Sequence, residues 1–231
     1  MIFAAGRGER MRPLTDSTPK PLLMVGGKRL VEWQLEKLAA AGINRVVINT
    51  SYLAAQFPKT LGDGSRWNLH IDFIDEGPVA LETGGGMLNA LDRLGREPFL
   101  LVNGDIWIDM DFSSLSQAPA SLAHLLMVAN PAHVSQGDFA LESDGYLVDS
   151  GPARLTYSGV GVYRAALFDD WRRALGETAG ASESPPRFTL APLLRAAMRR
   201  HQVSGEFFAG SWVDVGTPQR LADLDRQLCD P

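Results

Sequence analysis

The chain has 231 residues, of which 45% are hydrophobic and 21% charged, and a formal net charge of −5. This composition suits one large globular core and excludes a disordered or fibrous chain. A lone cysteine, Cys229, excludes an intrachain disulfide and speaks against thiol catalysis. His70, His124, His133 and His201 lack metal-ligand spacing, and the acidic balance argues against nucleic-acid binding. No window approaches the ~18 uninterrupted apolar residues of a membrane span. "MIFAA" runs into "GRGER" without the apolar stretch of a signal peptide, so a reducing cytoplasm is the expected compartment.

In chain order, Ile2 to Ala5 predicts a short buried strand. Behind it, "AAGRGERMRPLTDSTPKPLL" gathers glycines, prolines and cations. Residues 1 to 29 hold six basic side chains (Arg7, Arg10, Arg12, Lys20, Lys28, Arg29) against two acidic ones (Glu9, Asp16). That segment is therefore +4 and the remainder −9, which predicts an anionic visitor. "LVEWQLEKLAAAG" places Val31, Leu35 and Leu38 on one helical face and stops at Gly42. Strands are predicted at Arg45 to Thr50, Leu69 to Ile74 and Phe99 to Asn103. Between the last two, "TGGGMLNALDRLG" predicts a helix with Met87, Leu88 and Leu91 inward, stopping at Gly95. This βαβαβ order implies a parallel sheet covered by helices.

After Asp105 the pattern changes. "LAHLLMVAN", "FALESDGYLV" and "RLTYSGVGVY" predict strands of a small antiparallel extension, with Asp144-Gly145 as a hairpin turn. "GETAGASESPP" predicts a loop over 176 to 186. Helices follow at about Leu190 to His201 and Pro218 to Leu228, with a short strand in "GSWVDVG" between them. No repeat or linker demands a second domain, so one domain over 1–231 is expected.

Three constellations can carry chemistry. Gly6 and Gly8 follow a buried strand directly, so backbone N–H groups there could approach phosphate oxygens. Gly-x-Gly-x-x-Gly fails because position 11 is Met11, and no P-loop is present. Lys20, set between Pro19 and Pro21, is a cation of restricted swing. Asp105 lies just past an apolar strand, and Asp214 sits between Val213 and Val215. Such carboxylates need a partner, and a sparse pair suits Mg²⁺, which keeps water and substrate oxygens as its other ligands. Asp109 and Asp111 read instead as turn or cap residues. Finally, "LETGGGMLNAL" opens a helix on three glycines whose N–H groups could receive a base edge or an anion, with Thr83 as its cap.

"AAGRGERMRPLT…PKPLL", "LETGGG", "VNGD" and "WVDVGTP", in this order and spacing, resemble the sugar-phosphate nucleotidyltransferases over nearly the whole chain. The resemblance implies a Rossmann-like, three-layer α/β fold with a mixed, mostly parallel sheet of the nucleotidyltransferase type. It also implies a Mg²⁺-dependent enzyme that joins a nucleoside triphosphate to a sugar 1-phosphate and releases pyrophosphate. Gly6, Gly8, Glu9 and Arg10 would hold the triphosphate, Lys20 the α-phosphate, and Asp105 and Asp214 the metal. Arg10, Lys20 and Asp105 would carry catalysis. Thr83, Gly84 and the backbone near Asn49 would face base and ribose. Asn103, Asp138, Glu142, Ser158 and Gly159 would line the sugar side. "GDFAL" and "RFTLAPLLRAAM" are similar to short members that pair UTP with N-acetylmuramate 1-phosphate in bacterial cell-wall recycling. Glucose, mannose or N-acetylglucosamine 1-phosphate with dTTP, GTP or UTP is the alternative. A non-catalytic nucleotide-sugar-binding subunit is the rival from another class. Lys28, Arg154 and Arg187 are equal candidates for a sugar carboxylate. A monomer without nucleic-acid or membrane partners is expected.

Overall fold

A computed structural model describes residues 1–115 and 121–229. Its elements run β1 (Ile2–Phe3), β2 (Met24–Val25), β3 (Lys28–Arg29), α1 (Leu30–Ala40), β4 (Arg45–Thr50), α2 (Gln56–Leu61), β5 (His70–Asp75), α3 (Glu82–Leu94), β6 (Phe99–Asn103) and β7 (Ile106–Ile108). There follow β8 (Ala123–Val128), β9 (Phe139–Leu141), β10 (Leu147–Val148), β11 (Arg154–Tyr163), α4 (Trp171–Leu175), α5 (Ala191–Met198), β12 (Val203–Phe207), β13 (Trp212–Asp214) and α6 (Pro218–Cys229). The chain forms two compact units. One comprises Met1–Ala80, Val102–Ser116 and Ser211–Pro231, the other Leu81–Leu101 and Gln117–Gly210.

In the first unit β1 lies between β4 and the end of β6, all parallel, with Ile2 opposite both Ile48 and Val102. β5 continues the parallel order in register with β4, from Arg45 opposite His70 to Thr50 opposite Asp75. Residues 46 to 50 of β4 are all buried, the pattern of a strand covered on both faces. β1 is shorter than predicted because the Ala4 N–H leaves the ladder and donates to Asn49 Oδ1 (3.1 Å). α1 starts where the Arg29 N–H donates to Glu32 Oε2 (2.7 Å), the acidic half of a capping box, and it buries Leu30, Val31, Leu35 and Leu38.

β7 and β13 pair antiparallel, Trp107 opposite Val213 and Ile106 opposite Asp214. Met11, Leu23, Val25 and Leu30 from the N-terminal third pack with Trp107, Val215, Leu221 and Leu224 in one apolar cluster. This cluster lies beneath the glycine-rich loop and fixes it to α6. The sequence pattern did not reveal that link, since the two segments stand about two hundred residues apart.

In the second unit β11 pairs antiparallel with β8 and β9, and β9 with β10, so the antiparallel part has four strands among the described residues. The Asp144-Gly145 hairpin forms as predicted, with Gly145 at φ +83°. An unpredicted strand, β12, adds parallel to β8. Its polar sequence "VSGEF" hid it, and Gly205 is needed there because a Cβ would meet Leu147 Cδ1 at 2.8 Å and Leu125 O at 2.9 Å. α5 ends at Met198, short of the predicted His201, which takes a left-handed φ of +57° and turns the chain into β12. The architecture is the expected mixed sheet with a mostly parallel core and flanking helices. Among the described residues no helix is long and apolar enough to cross a membrane.

Candidate active site

Gly8 adopts φ +68°, ψ 42°, a left-handed turn that reverses the chain after β1 into the short helical turn Glu9–Met11. A Cβ on Gly8 would approach Lys20 Cβ to 3.1 Å and Thr15 Cγ2 to 3.2 Å, whereas one on Gly6 would meet nothing within 4 Å. Gly8 is therefore glycine for conformation and fit, while Gly6 opens onto free space. Thr15 Oγ1 donates to the Gly8 carbonyl (2.8 Å) and closes the loop on itself.

Most of the loop's cations are already engaged. Arg7 lies 3.7 Å from Glu9 and over the Tyr52 ring, and Arg12 Nε donates to Asp16 (2.6 Å). Lys28 pairs with Glu36 (2.6 Å) and covers the Trp33 ring, and Arg29 lies 3.7 Å from Glu32. Arg10 is exposed and has no ion pair among the described residues. It is the cation of the loop most available to a new anion. Glu9 is exposed beside Arg7.

Lys20 is the inward cation. It is 7% exposed, stands on the helical turn Lys20–Leu22 between its two prolines, and Nζ donates to Asp105 Oδ2 at 2.7 Å. The Asp105 carboxylate is 43% exposed and has one oxygen outside this bond. Asp214 adjoins it through the backbone: Val215 N–H donates to the Asp105 carbonyl (2.9 Å), and Asp214 faces Ile106 across the β7–β13 pair. Residues 20, 105 and 214 are thereby gathered from three distant parts of the sequence. Gly104 permits this turn, since a Cβ would lie 2.7 Å from the Phe3 carbonyl. Among the described residues no three or more His, Cys, Asp or Glu side chains could together hold a metal, which rules out an all-protein cage within them. Asp105 and Asp214, whose backbones adjoin, supply hard oxygen donors of the type taken by an ion that draws its remaining ligands from water and substrate phosphate.

Arg220, absent from the sequence-derived candidates, stands on the first turn of α6. Its Nη1 donates to both Asp214 oxygens, each at 2.6 Å. The available signal was the spacing in "DVGTPQR", an arginine six residues after the aspartate. Glu76 was missed as well. It accepts from Asn49 Nδ2 (2.7 Å), while Asn49 Oδ1 accepts from Ala4, so the 2%-exposed Asn49 side chain is a brace for the end of β1. Asn103 sits beside Phe3 at the end of β6. Asp111 is the turn residue expected, accepting from the Ser113 N–H (2.9 Å). That bond and the Ser113 hydroxyl hold its carboxyl below the ordinary value.

In the second unit the glycine run differs from its expected use. Gly84 and Gly85 both donate their N–H to the Phe188 carbonyl (2.9 and 3.0 Å), so these two donors are taken by the protein itself. The glycines serve close packing: a Cβ on Gly84 would lie 2.5 Å from the Phe188 ring, and one on Gly85 2.4 Å from the Pro186 carbonyl. Thr83 is not the cap, which falls at Leu81. Its hydroxyl oxygen accepts from the Leu190 N–H (2.8 Å), which leaves the hydroxyl proton to donate. Asp138 Oδ2 accepts from the Tyr157 N–H (2.8 Å). Ser158 and Gly159 occupy a bulge where the β11–β8 register shifts between Tyr157 and Gly161. Gly159 has φ +83°, and the 1%-exposed Ser158 accepts from the Val160 N–H (3.1 Å). Glu142 is exposed on the hairpin. Lys28, Arg154 and Arg187 are all engaged, with Glu36, the Asp138 carbonyl and Glu183 respectively.

Residues 1–135 match the family model described as "Nucleotidyl transferase". An N-acetylmuramate alpha-1-phosphate uridylyltransferase of Neisseria meningitidis serogroup B is 47% identical over 96% of this chain and 95% of its own. Another of that description, from Caulobacter vibrioides, is 33% identical over 100% of this chain and 96% of its own. The solved inositol-1-phosphate CTP transferase from T. maritima shares the fold with a TM-score of 0.78 at 18% identity, over 99% of this chain and 95% of that one.

Proposed function

Since this chain belongs to the nucleotidyl transferase family, we propose that it transfers a uridylyl group from UTP to N-acetylmuramate 1-phosphate, giving the UDP-sugar and pyrophosphate. The observation that carries the chemistry is the Lys20–Asp105 pair with Asp214 adjoining it. The choice of substrates is supported by the two relatives of that description, each aligned over almost its whole length.

The acceptor phosphate is already mostly dianionic at neutral pH, with a second pKa of about 6, so its oxygen can attack the α-phosphorus without a general base. The barrier is the approach of two anions in line. Lys20, held by its prolines, presents a fixed positive charge to the α-phosphate, and Arg10 supplies a mobile one to the leaving pyrophosphate. Gly6 and Gly8 admit the triphosphate close to the backbone, with Glu9 beside them. Asp105 and Asp214 would hold Mg²⁺, which, when bound, neutralises phosphate charge and orients the leaving group. The Thr83 hydroxyl and the backbone at Asn49 serve the base and ribose. Asn103, Asp138, Glu142, Ser158 and Gly159 serve the sugar. The protein acts as one catalytic domain in the cytoplasm, as a monomer.

The test is pyrophosphate release across UTP, dTTP, CTP and GTP against muramic, glucosamine, glucose and mannose 1-phosphates. The expected maximum is UTP with N-acetylmuramate 1-phosphate; a maximum elsewhere overturns the substrate assignment, and no release anywhere overturns the enzyme.

A further inference from the structure

Arg220 meets Asp214 in an unusual way. One nitrogen, Nη1, lies 2.6 Å from each carboxylate oxygen, so it sits in the mouth between them. That is the seat a cation takes when it chelates a carboxylate through both oxygens. The guanidinium reaches it over Gly216, where a Cβ would lie 2.3 Å from Arg220 Nη2 and 3.3 Å from Asp214 Oδ2. Gly216 does not have the left-handed φ that would otherwise call for glycine. The end of the arginine therefore occupies the space that a side chain at 216 would take. The arm is fixed at its base as well: the Arg220 N–H donates to Thr217 Oγ1 (3.3 Å), and Leu221 and Leu224 anchor α6 in the apolar cluster.

We infer that Arg220 is a specificity-determining residue for the metal: it occupies the chelating seat of Asp214 and leaves only one-oxygen ligation to an incoming ion. The inference rests on the reading of Asp214 as a metal ligand. Ca²⁺ accepts carboxylates through one or both oxygens in a flexible shell of six to eight ligands, whereas Mg²⁺ requires a small octahedral shell. Blocking the two-oxygen seat therefore penalises Ca²⁺ more than Mg²⁺. Arginine suits the task because its charge is permanent and its planar fork is stiff.

Removing a positive charge from beside the site strengthens the binding of both cations alike, so the ratio of the two affinities carries the test. The rise in melting temperature is measured against MgCl₂ and against CaCl₂, without nucleotide, for the wild type, Arg220→Met, Gly216→Ala and Asp214→Asn. Gly216→Ala keeps the charge and displaces only the flexible end of the arginine. Both Arg220→Met and Gly216→Ala are expected to shift the affinity ratio toward Ca²⁺ by on the order of tenfold. An unchanged ratio in both overturns the inference. A shift in Arg220→Met alone also overturns it, because displacing the guanidinium by Gly216→Ala then leaves the ratio unmoved and the occupied seat is not what sets it. If the wild type responds to neither ion, or Asp214→Asn responds as the wild type does, Asp214 is not a ligand and the underlying metal reading fails with the inference; an unaltered ratio on a working Asp214 site separates the two failures.

Discussion

A lysine on a surface loop ordinarily samples many rotamers, and ordering it against a phosphate costs up to ~2 kcal/mol of side-chain entropy. Lys20 has lost that freedom in advance, with a side chain only 9% exposed and Nζ on Asp105. Its charge should accordingly matter most where charge builds up during the reaction. Lys20→Ala is expected to lower kcat for pyrophosphate release by on the order of 10²-fold or more while the calorimetric Kd for UTP changes far less. Equal losses in both would remove Lys20 from the transition state. Arg10 contrasts with it, exposed and without an ion pair among the described residues. Arg10→Gln should raise KM for UTP and flatten the decline of kcat/KM with added salt, since a solvated charge attracts its ligand through a screened field. An unaltered salt profile would assign the attraction to other cations.

Among the elements, α3 is informative because propensity and packing oppose each other at its first turn. Alanine favours a helix over glycine by about 1 kcal/mol. At Gly85, however, the added Cβ lies 2.4 Å from a backbone oxygen, that of Pro186, which cannot rotate away. Overpacking of this kind costs about 1 to 3 kcal/mol, so Gly85→Ala should lower the urea midpoint of the protein. A stabilised variant would show that the 186–190 segment is free to retreat. β8 and β12 supply a pH-dependent contribution. His124 Nδ1 is 2.9 Å from Ser204 Oγ, and burial lowers its pKa below the ordinary 6.5, a fall that Glu206 partly opposes. The unfolded chain thus takes up this proton at higher pH than the folded one, and stability contributed by the neutral ring is lost as pH falls below about 6.5. Urea unfolding between about pH 5 and 8 should show stability rising with pH through that window, and His124→Gln should remove that part of the slope.

At the scale of the whole molecule, the first unit is assembled from three separated stretches, and its glycine-rich loop shares an apolar cluster with α6. Leu224, 1% exposed in that cluster, is far from the glycine-rich loop in sequence and yet supports both that loop and the helix that carries Arg220. Leu224→Ala should destabilise the protein by about 2 to 5 kcal/mol in urea unfolding. It should also lower turnover at temperatures where the variant remains folded. Full activity in the folded variant would mean the loop holds its shape without α6.

The parallel strands, the helices α1, α3 and α6, the Asp144-Gly145 hairpin and the choice of Lys20 and Asp105 as candidates were all written in local pattern: apolar periodicity, a lysine between prolines, a carboxylate at a strand end. Those signals are short-range, and each residue carries its own part of them. β12, the Ser158–Gly159 bulge, the use of Gly84 and Gly85 for packing, the brace made by Asn49 and Glu76, and the grip of Arg220 on Asp214 depend on what lies opposite in space. A Cβ clash or a carboxylate's partner is defined by atoms from remote segments, which no window of the sequence contains, and only the folded chain brings them within contact.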